Sequence, residues 1–251
     1  MYYILRRNIV GWIETFAEKF VKDFVVKERW RYITNGLQVT LIVTLGALII
    51  GLIIGMVVAV IRSAHDQISK EKLKSPGGLL LRLLNQAARL YLTVIRGTPS
   101  VVQLLLMYFM FLVNTDSKVL VAVITFGINS GAYVAEIFRS GIMSIDKGQM
   151  EAGRSLGLSF VKTMQIIILP QAFKNTLPAL VNESITLLKE TSICGYVGLN
   201  DLTRGGDIIR VDTYDPLLPL LGVAVIYLVI VMFFTWIMGK LERGLRESDR
   251  R

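Results

Sequence analysis

The residues able to do chemistry sit where this chain tolerates them least. Asn182, Glu183, Lys189 and Glu190 interrupt an otherwise apolar stretch, Leu177 to Leu199, and Thr191 and Ser192 follow directly. A charge at the centre of a membrane helix costs about 2.5–3.5 kcal/mol. A chain that keeps Glu183, Lys189 and Glu190 in one such stretch therefore needs protein or water around them. Helical spacing puts Asn182, Thr186, Lys189 and Ser192 on one face, and Glu183 and Glu190, seven apart, on another. The alternative is that Lys189 and Glu190 pair with each other near the membrane edge or meet a partner subunit. A second cluster is Arg96-Gly97-Thr98-Pro99. Pro99 leaves a carbonyl near Arg96 unbonded and Gly97 lets the backbone bend. Broken helices offer backbone groups to a solute. Equally, Arg96 can snorkel to lipid phosphates. These residues can bind; none forms a catalytic set. There is no nucleophile–base pair, no paired carboxylates with catalytic geometry and no metal-ligand cluster. A Gly-x-x-x-x-Gly-Lys-[Ser/Thr] phosphate loop is absent, since Gly239-Lys240 runs on into Leu241. No catalytic residue, metal or cofactor is expected in this chain.

The elements that must carry these residues are membrane helices. The 251 residues are 53% hydrophobic, with a mean hydropathy of +0.55. Charges, 19% of the chain, gather between long apolar runs. That pattern excludes a soluble enzyme with a buried core, a coiled coil and a disordered chain. The single cysteine, Cys194, excludes a disulfide framework and reads as a small packing residue. Crossing a ~30 Å hydrocarbon layer takes about 20 residues. Five stretches qualify: Leu37–Ile61, Leu90–Val113, Val119–Phe138, Leu177–Leu199 and Leu217–Met238. The second is interrupted at Gly97-Thr98-Pro99, and the fourth spans only if its polar groups face protein or water. Gly51 and Gly55 let another helix approach the first span closely. Pro76-Gly77-Gly78 reads as a loop turn. Glu136 and Arg139, three apart, are expected to pair near the inner face, Asn129 to bond between helices, and His65 to be solvated. The fold class is all-α, a polytopic bundle of five transmembrane helices.

Five spans place the termini on opposite sides. Six Lys or Arg lie between Arg62 and Arg89, four between Arg139 and Pro170, and five from Lys240 to Arg251. Positive residues favour the cytoplasm, so the C-terminus and these loops are expected inside and the N-terminus outside. The net charge of +9 then reflects basic loops and lipid headgroups, and no nucleic-acid partner is expected. Residues 1–34 strain the rule with seven Lys or Arg against four acids. Their stripe of Trp12, Phe16, Phe20 and Phe24, with Glu14, Glu18, Lys22 and Asp23 away from it, reads as an amphipathic helix. It either lies flat in the interface or packs as core. No apolar run followed by a small-residue cleavage site precedes it, so no cleavable signal is expected. The organisation is then an amphipathic segment 1–34, a transmembrane domain 35–240 with a cytoplasmic loop about 145–170, and a tail 241–251.

That loop holds the most specific pattern. Glu151-Ala152-Gly153-Arg154-Ser155-Leu156-Gly157 is followed by Ile167 and then Leu169-Pro170. Glu151–Leu156 can form a short helix ended by Gly157 as a glycine cap. Phe160–Leu169 can form a second helix, which Pro170 ends or bends. Two compact helices exposed in this way suit a groove in another protein. The spacing resembles the Glu-Ala-Ala loop of ATP-binding-cassette importer permeases, with Glu151, Ala152, Gly157, Ile167, Leu169 and Pro170 in register and Gly153 replacing the second alanine. That replacement is expected to loosen the helix by about 1 kcal/mol.

Arg96-Gly97-Thr98-Pro99, Ala132 through Ile142 and Leu188-Lys189-Glu190-Thr191-Ser192 are similar to the polar amino-acid permeases of that class, with a resemblance covering roughly residues 34–240. The resemblance implies a type I five-helix core working in pairs. It implies a second permease subunit, identical or similar, and two ATP-binding-cassette ATPase subunits docked on Glu151–Pro170, with ATP and Mg on those subunits. It also implies an external solute-binding protein and a bacterial cytoplasmic membrane. An amino acid brings an ammonium and a carboxylate, which acids and hydroxyl or helix-end groups can meet. Glu183, Glu190, Thr191, Ser192, Asn182, Arg96 and Thr98 are the pathway candidates. Glu151, Ala152, Gly153, Gly157, Ile167, Leu169 and Pro170 are the coupling candidates. The rival readings are an ion-coupled secondary transporter or channel without an ATPase, an intramembrane enzyme and a structural assembly factor. The enzyme lacks a catalytic set, and the assembly factor has no use for the buried charges.

Overall fold

The computed structural model describes residues 15–67 and 75–248. Trp12, Glu14 and the rest of the first fourteen residues, like the basic residues Lys70, Lys72 and Lys74, lie outside them. All regular elements among the described residues are helical. They run α1 Trp30–Gln67, α2 Pro76–Gly97, α3 Ser100–Leu106, α4 Lys118–Met143, α5 Lys147–Ser155, α6 Phe160–Thr163, α7 Leu169–Glu190, α8 Leu202–Thr213 and α9 Leu217–Ser248. Wide π turns at Met107–Phe111 and Met164–Ile168 and a tight 3-10 stretch at Thr191–Val197 join some of them.

Trp30–Asp66, Lys118–Met143 and Leu217–Lys240 are long and apolar enough to cross a membrane. Pro76–Gly97 and Ser100–Phe111 qualify together but are bent by 107°. Helix α7, which carries Lys174, Glu183, Lys189 and Glu190, is not among them. Pro76 opens a helix rather than a loop turn: Ser75 caps it by accepting from Gly78 N at 3.2 Å. Proline at the first helical position loses only an N–H that has no partner there anyway.

The centre of the bundle is α1 against α4. A methyl group at Gly55 would stand 2.5 Å from Val134 Cγ1, and one at Gly127 would stand 2.7 Å from Ile50 Cβ. Glycines on both helices let each backbone approach the other's side chains. Around this seam Val43, Ala47, Leu104, Phe126, Leu187, Cys194 and Val197 close one buried core. It ties α3 and α7 to α1 and α4.

The segment before α1 packs as core in part. Phe24 joins Ile33, Leu202, Ile209 and Val223, whereas Phe16 and Phe20 stay exposed. Its polar face is not simply solvated. Asp23 is buried, Lys22 Nζ donates to Thr213 O at 3.2 Å, and the Arg29 guanidinium bonds Asp212. Lys22 and Arg29 fasten the segment to the end of α8, which sequence periodicity alone does not reveal.

Candidate functional site

The residues proposed from sequence for ATPase docking, Glu151 to Pro170, form a compact unit. Asp146 caps α5, its Oδ1 accepting from Gly148 N at 2.7 Å. At the other end Gly157 adopts φ +83°. Leu158 N donates to Gly153 O and Gly157 N to Arg154 O, both at 3.1 Å. Those two bonds define a Schellman cap, as the glycine position leads one to expect. Gly153 itself is buried, and a Cβ there would lie 2.5 Å from Thr163 Cγ2 and 3.1 Å from Ile167 Cδ1. The departure from alanine thus makes room for Thr163, which is fully buried, and is more than a loosening of the helix. Ile167 and Leu169 pack beside Ile142, Met164 and Ile168, joining the loop to the end of α4. Glu151 and Ala152 remain exposed. Pro170 does not end its helix. It lies in the first turn of α7, just past the wide Met164–Ile168 turn, where its missing N–H breaks no essential bond.

The break at Gly97–Pro99 is built around a residue the sequence reading passed over. Pro99 has no N–H for Ile95 O. Gln103 Nε2 supplies the bond instead at 2.8 Å, and also reaches Thr98 Oγ1 at 2.8 Å and Thr98 O at 3.1 Å. Its Oε1 accepts from Asn129 Nδ2 at 2.9 Å, so Asn129 does bond between helices. The missed signal was spacing: Gln103 stands one helical turn past Pro99. The Thr98 hydroxyl is spent on Val94 O at 2.9 Å.

In α7, Asn182, Thr186 and Lys189 are exposed together on one face. Glu183 is half-buried and accepts from Ser130 Oγ of α4 at 2.8 Å. Glu190 is half-buried one turn beyond Thr186, and no ion pair joins it to Lys189 among the described residues. Thr191 is fully buried and its hydroxyl donates to Leu188 O at 2.7 Å, so it holds backbone. Ser192 lines a groove with Tyr196, Arg204, Asp207 and Arg210. The structure therefore carries Asn182, Glu183 and Glu190 on α7, puts Ser192 in the 3-10 stretch that follows it and places Arg96 elsewhere.

Arg96 lies with Arg62 on Glu136, at 3.4 and 2.9 Å, while Arg139 pairs with Asp66 at 3.0 Å. Glu136 and Arg139 do not pair with each other, because each reaches the end of α1 first. His65 is half-buried in α1 rather than solvated in a loop, 3.5 Å from Asp66. At the opposite end of the bundle Asp201 caps α8, accepting from Thr203 N at 2.9 Å. Burial, stronger than the backbone bonds that oppose it, pushes its carboxyl up to about 6.

Residues 77–247 match the family model of the binding-protein-dependent transport system inner membrane component. The chain belongs to this permease family. The arginine transport system permease ArtQ of Bacillus subtilis is 44% identical over 165 residues, 64% of this chain and 75% of ArtQ. The glutamine transport system permease GlnP of Escherichia coli K12 is 39% identical over 186 residues, 68% of this chain and 85% of GlnP. A crystal structure of an amino acid ABC transporter with histidines superposes with TM-score 0.75 at 37% identity, covering 88% of this chain and 97% of that one. The inward-facing MetNI methionine transporter, at 19% identity and TM-score 0.67, shows the same fold. The permease is thus a multi-pass membrane component and not an ATPase, its nucleotide chemistry belonging to a separate subunit. The family model spans residues 77–247, and the likeness to the amino acid ABC transporter structure extends over 88% of this chain.

Proposed function

We propose that this permease forms half of the translocation pathway of an ATP-driven importer of polar amino acids in a bacterial cytoplasmic membrane. Relatives named for arginine and glutamine transport support the solute class. A second permease chain, identical or similar, supplies the other half. An external solute-binding protein delivers the solute. Two ABC ATPase subunits, which hold ATP and Mg, seat the α5–α6 unit. The observation that carries the reading is the capped α5–α6 pair, exposed at Glu151 and Ala152 yet packed through Ile167 and Leu169 onto α4. A push on that pair passes to the helices that bear Ser130 and Glu183.

The pathway residues are Asn182, Glu183, Glu190 and Ser192. The acids meet the solute ammonium, and the exposed polar face of α7 lines the route beside them. Thr98 and Thr191 shape the backbone, since their hydroxyls already serve their own helices. The basic loops put the α5–α6 end and the C-terminus in the cytoplasm and the N-terminus outside.

The test is site-directed crosslinking in the intact complex purified from its own membrane. A Glu151→Cys variant crosslinks to a companion ATPase. Glu183→Gln changes uptake or solute-stimulated hydrolysis. Crosslinking to no ATPase, together with uptake driven by an ion gradient, replaces the proposal with a secondary carrier. Wild-type kinetics for Glu183→Gln over a panel of amino acids removes Glu183 from the pathway.

A further inference from the structure

A cavity of about 550 Å3 opens beside the end of α2, lined by Arg62 of α1, by Arg89, Thr93, Arg96 and Gly97 of α2 and by Glu136 of α4. Three guanidiniums share it with one carboxylate. Glu136 is already taken by Arg62 and Arg96. Arg89, one turn before Thr93, has no ion-pair partner among the described residues. The Arg62 Nε is buried without a hydrogen-bond acceptor, an arrangement proteins rarely leave in place. The lining thus carries surplus positive charge and an unused buried donor. An anion with several acceptor oxygens would offset that surplus charge, and planar guanidinium forks fit phosphate best.

Two further observations indicate where such an anion would come from. The cavity lies at the end of the bundle that carries α5, with Arg62 close to the end of α1 at Gln67 and Glu136 two turns before Met143. Next to Arg89 and Thr93, α2 exposes Leu90 at 67% and Val94 at 49%. An apolar strip running up to a basic cavity suits a molecule with a charged head and a hydrocarbon tail. A free solute would need no such strip.

We propose that this cavity is a phosphate-group site occupied by the headgroup of an anionic phospholipid, with an acyl chain along Leu90 and Val94. The site is separate from the Glu183–Ser192 stretch and does not depend on which solute is carried. Bound there, the phosphate bridges α1, α2 and α4 at the kink of the bent pair. Basic pockets between membrane helices commonly take such headgroups.

The test uses the complete transporter complex, delipidated in detergent and followed by native mass spectrometry during titration with phosphatidylglycerol, phosphatidylcholine or inorganic phosphate. Phosphatidylglycerol is expected to bind saturably, about tenfold tighter than phosphatidylcholine. Arg89 is exposed, so Arg89→Gln should fold normally and weaken phosphatidylglycerol about tenfold, while Arg89→Lys should retain part of the affinity. Millimolar inorganic phosphate that fails to displace the lipid confirms the lipid source; phosphate that displaces it and binds alone keeps the anion site but makes free phosphate its ligand. Equal affinity for the two lipids, or unchanged affinity in Arg89→Gln, overturns the proposal. So does displacement of the lipid by a polar amino acid, which would hand the cavity to the solute.

Discussion

Restoring alanine at position 153 should harm this permease, although alanine is what the Glu-Ala-Ala pattern holds there. Two effects oppose each other. Alanine gains up to about 1 kcal/mol over glycine inside a helix, and less near a helix end. The added methyl would stand 2.5 Å from Thr163 Cγ2, 3.0 Å from Thr163 Oγ1 and 3.1 Å from Ile167 Cδ1. Thr163 cannot swing away, since it is fully buried and its hydroxyl donates to Ser159 O at 3.0 Å. Overpacking of this kind costs about 1–3 kcal/mol, so the clash wins and Gly153→Ala loosens α5 from α6 by on the order of 1–2 kcal/mol. Thr163→Ser deletes the offending methyl and keeps the hydroxyl. The double variant should therefore recover most of the loss, with a coupling energy of about 1 kcal/mol or more. Hydrogen exchange across residues 147–168 reads the local stability, and uptake in proteoliposomes reads the coupling. Slower exchange with undiminished uptake in Gly153→Ala, or a double variant no better than the single, would refute the packing argument.

Other outcomes follow from the same geometry. Gly157→Ala meets no neighbour but must hold φ +83°, so it should cost about 1–2 kcal/mol and lower coupled uptake while the protein stays in the membrane. Membrane levels and uptake together check it. Gln103→Leu orphans Ile95 O and Asn129 and should destabilise by about 2–4 kcal/mol; Asn129→Leu added to it should cost much less than alone, which a thermal-unfolding cycle measures. Asp201 binds its proton more readily folded, at about 6, than unfolded, at 3.8. Its contribution to stability therefore declines as pH rises between those values, by on the order of 3 kcal/mol in all. Asp201→Asn keeps a capping side chain and should flatten the unfolding midpoint between pH 4 and 7. An unchanged slope would clear Asp201 of that role.

Much of the architecture was legible because membrane burial writes itself into composition. The long apolar runs around α1, α4 and α9 are where the sequence places them, and Gly157 announced its cap by residue type. Helices α5 and α6 were legible as spacing. What escaped depends on contacts between distant positions. Nothing local to Glu136 says that Arg62, seventy-four residues earlier, will claim it before Arg139 does. Gln103 looked like one polar residue in an apolar run until the kink brought Ile95 and Asn129 to its amide. Pro170 carries a helix-breaking residue type, but the wide turn before it absorbs the defect. Gly153 looked like a loss in the motif because its reason lies on the next helix, at Thr163.

The reciprocal glycine seam between α1 and α4 has a mechanical corollary. With side chains of each helix seated against the other's backbone, and Arg62–Glu136 and Arg139–Asp66 joining one end, the two helices are expected to move together. Sliding one along the other would carry Val134 off Gly55 and Ile50 off Gly127, onto positions that bear side chains. Compliance is left to the irregular joints, the Thr98–Pro99 elbow and the Met164–Ile168 wide turn. If α5 and α6 seat an ATPase as proposed, force arriving there would be taken up as bending at those joints before it deformed the α1–α4 pair.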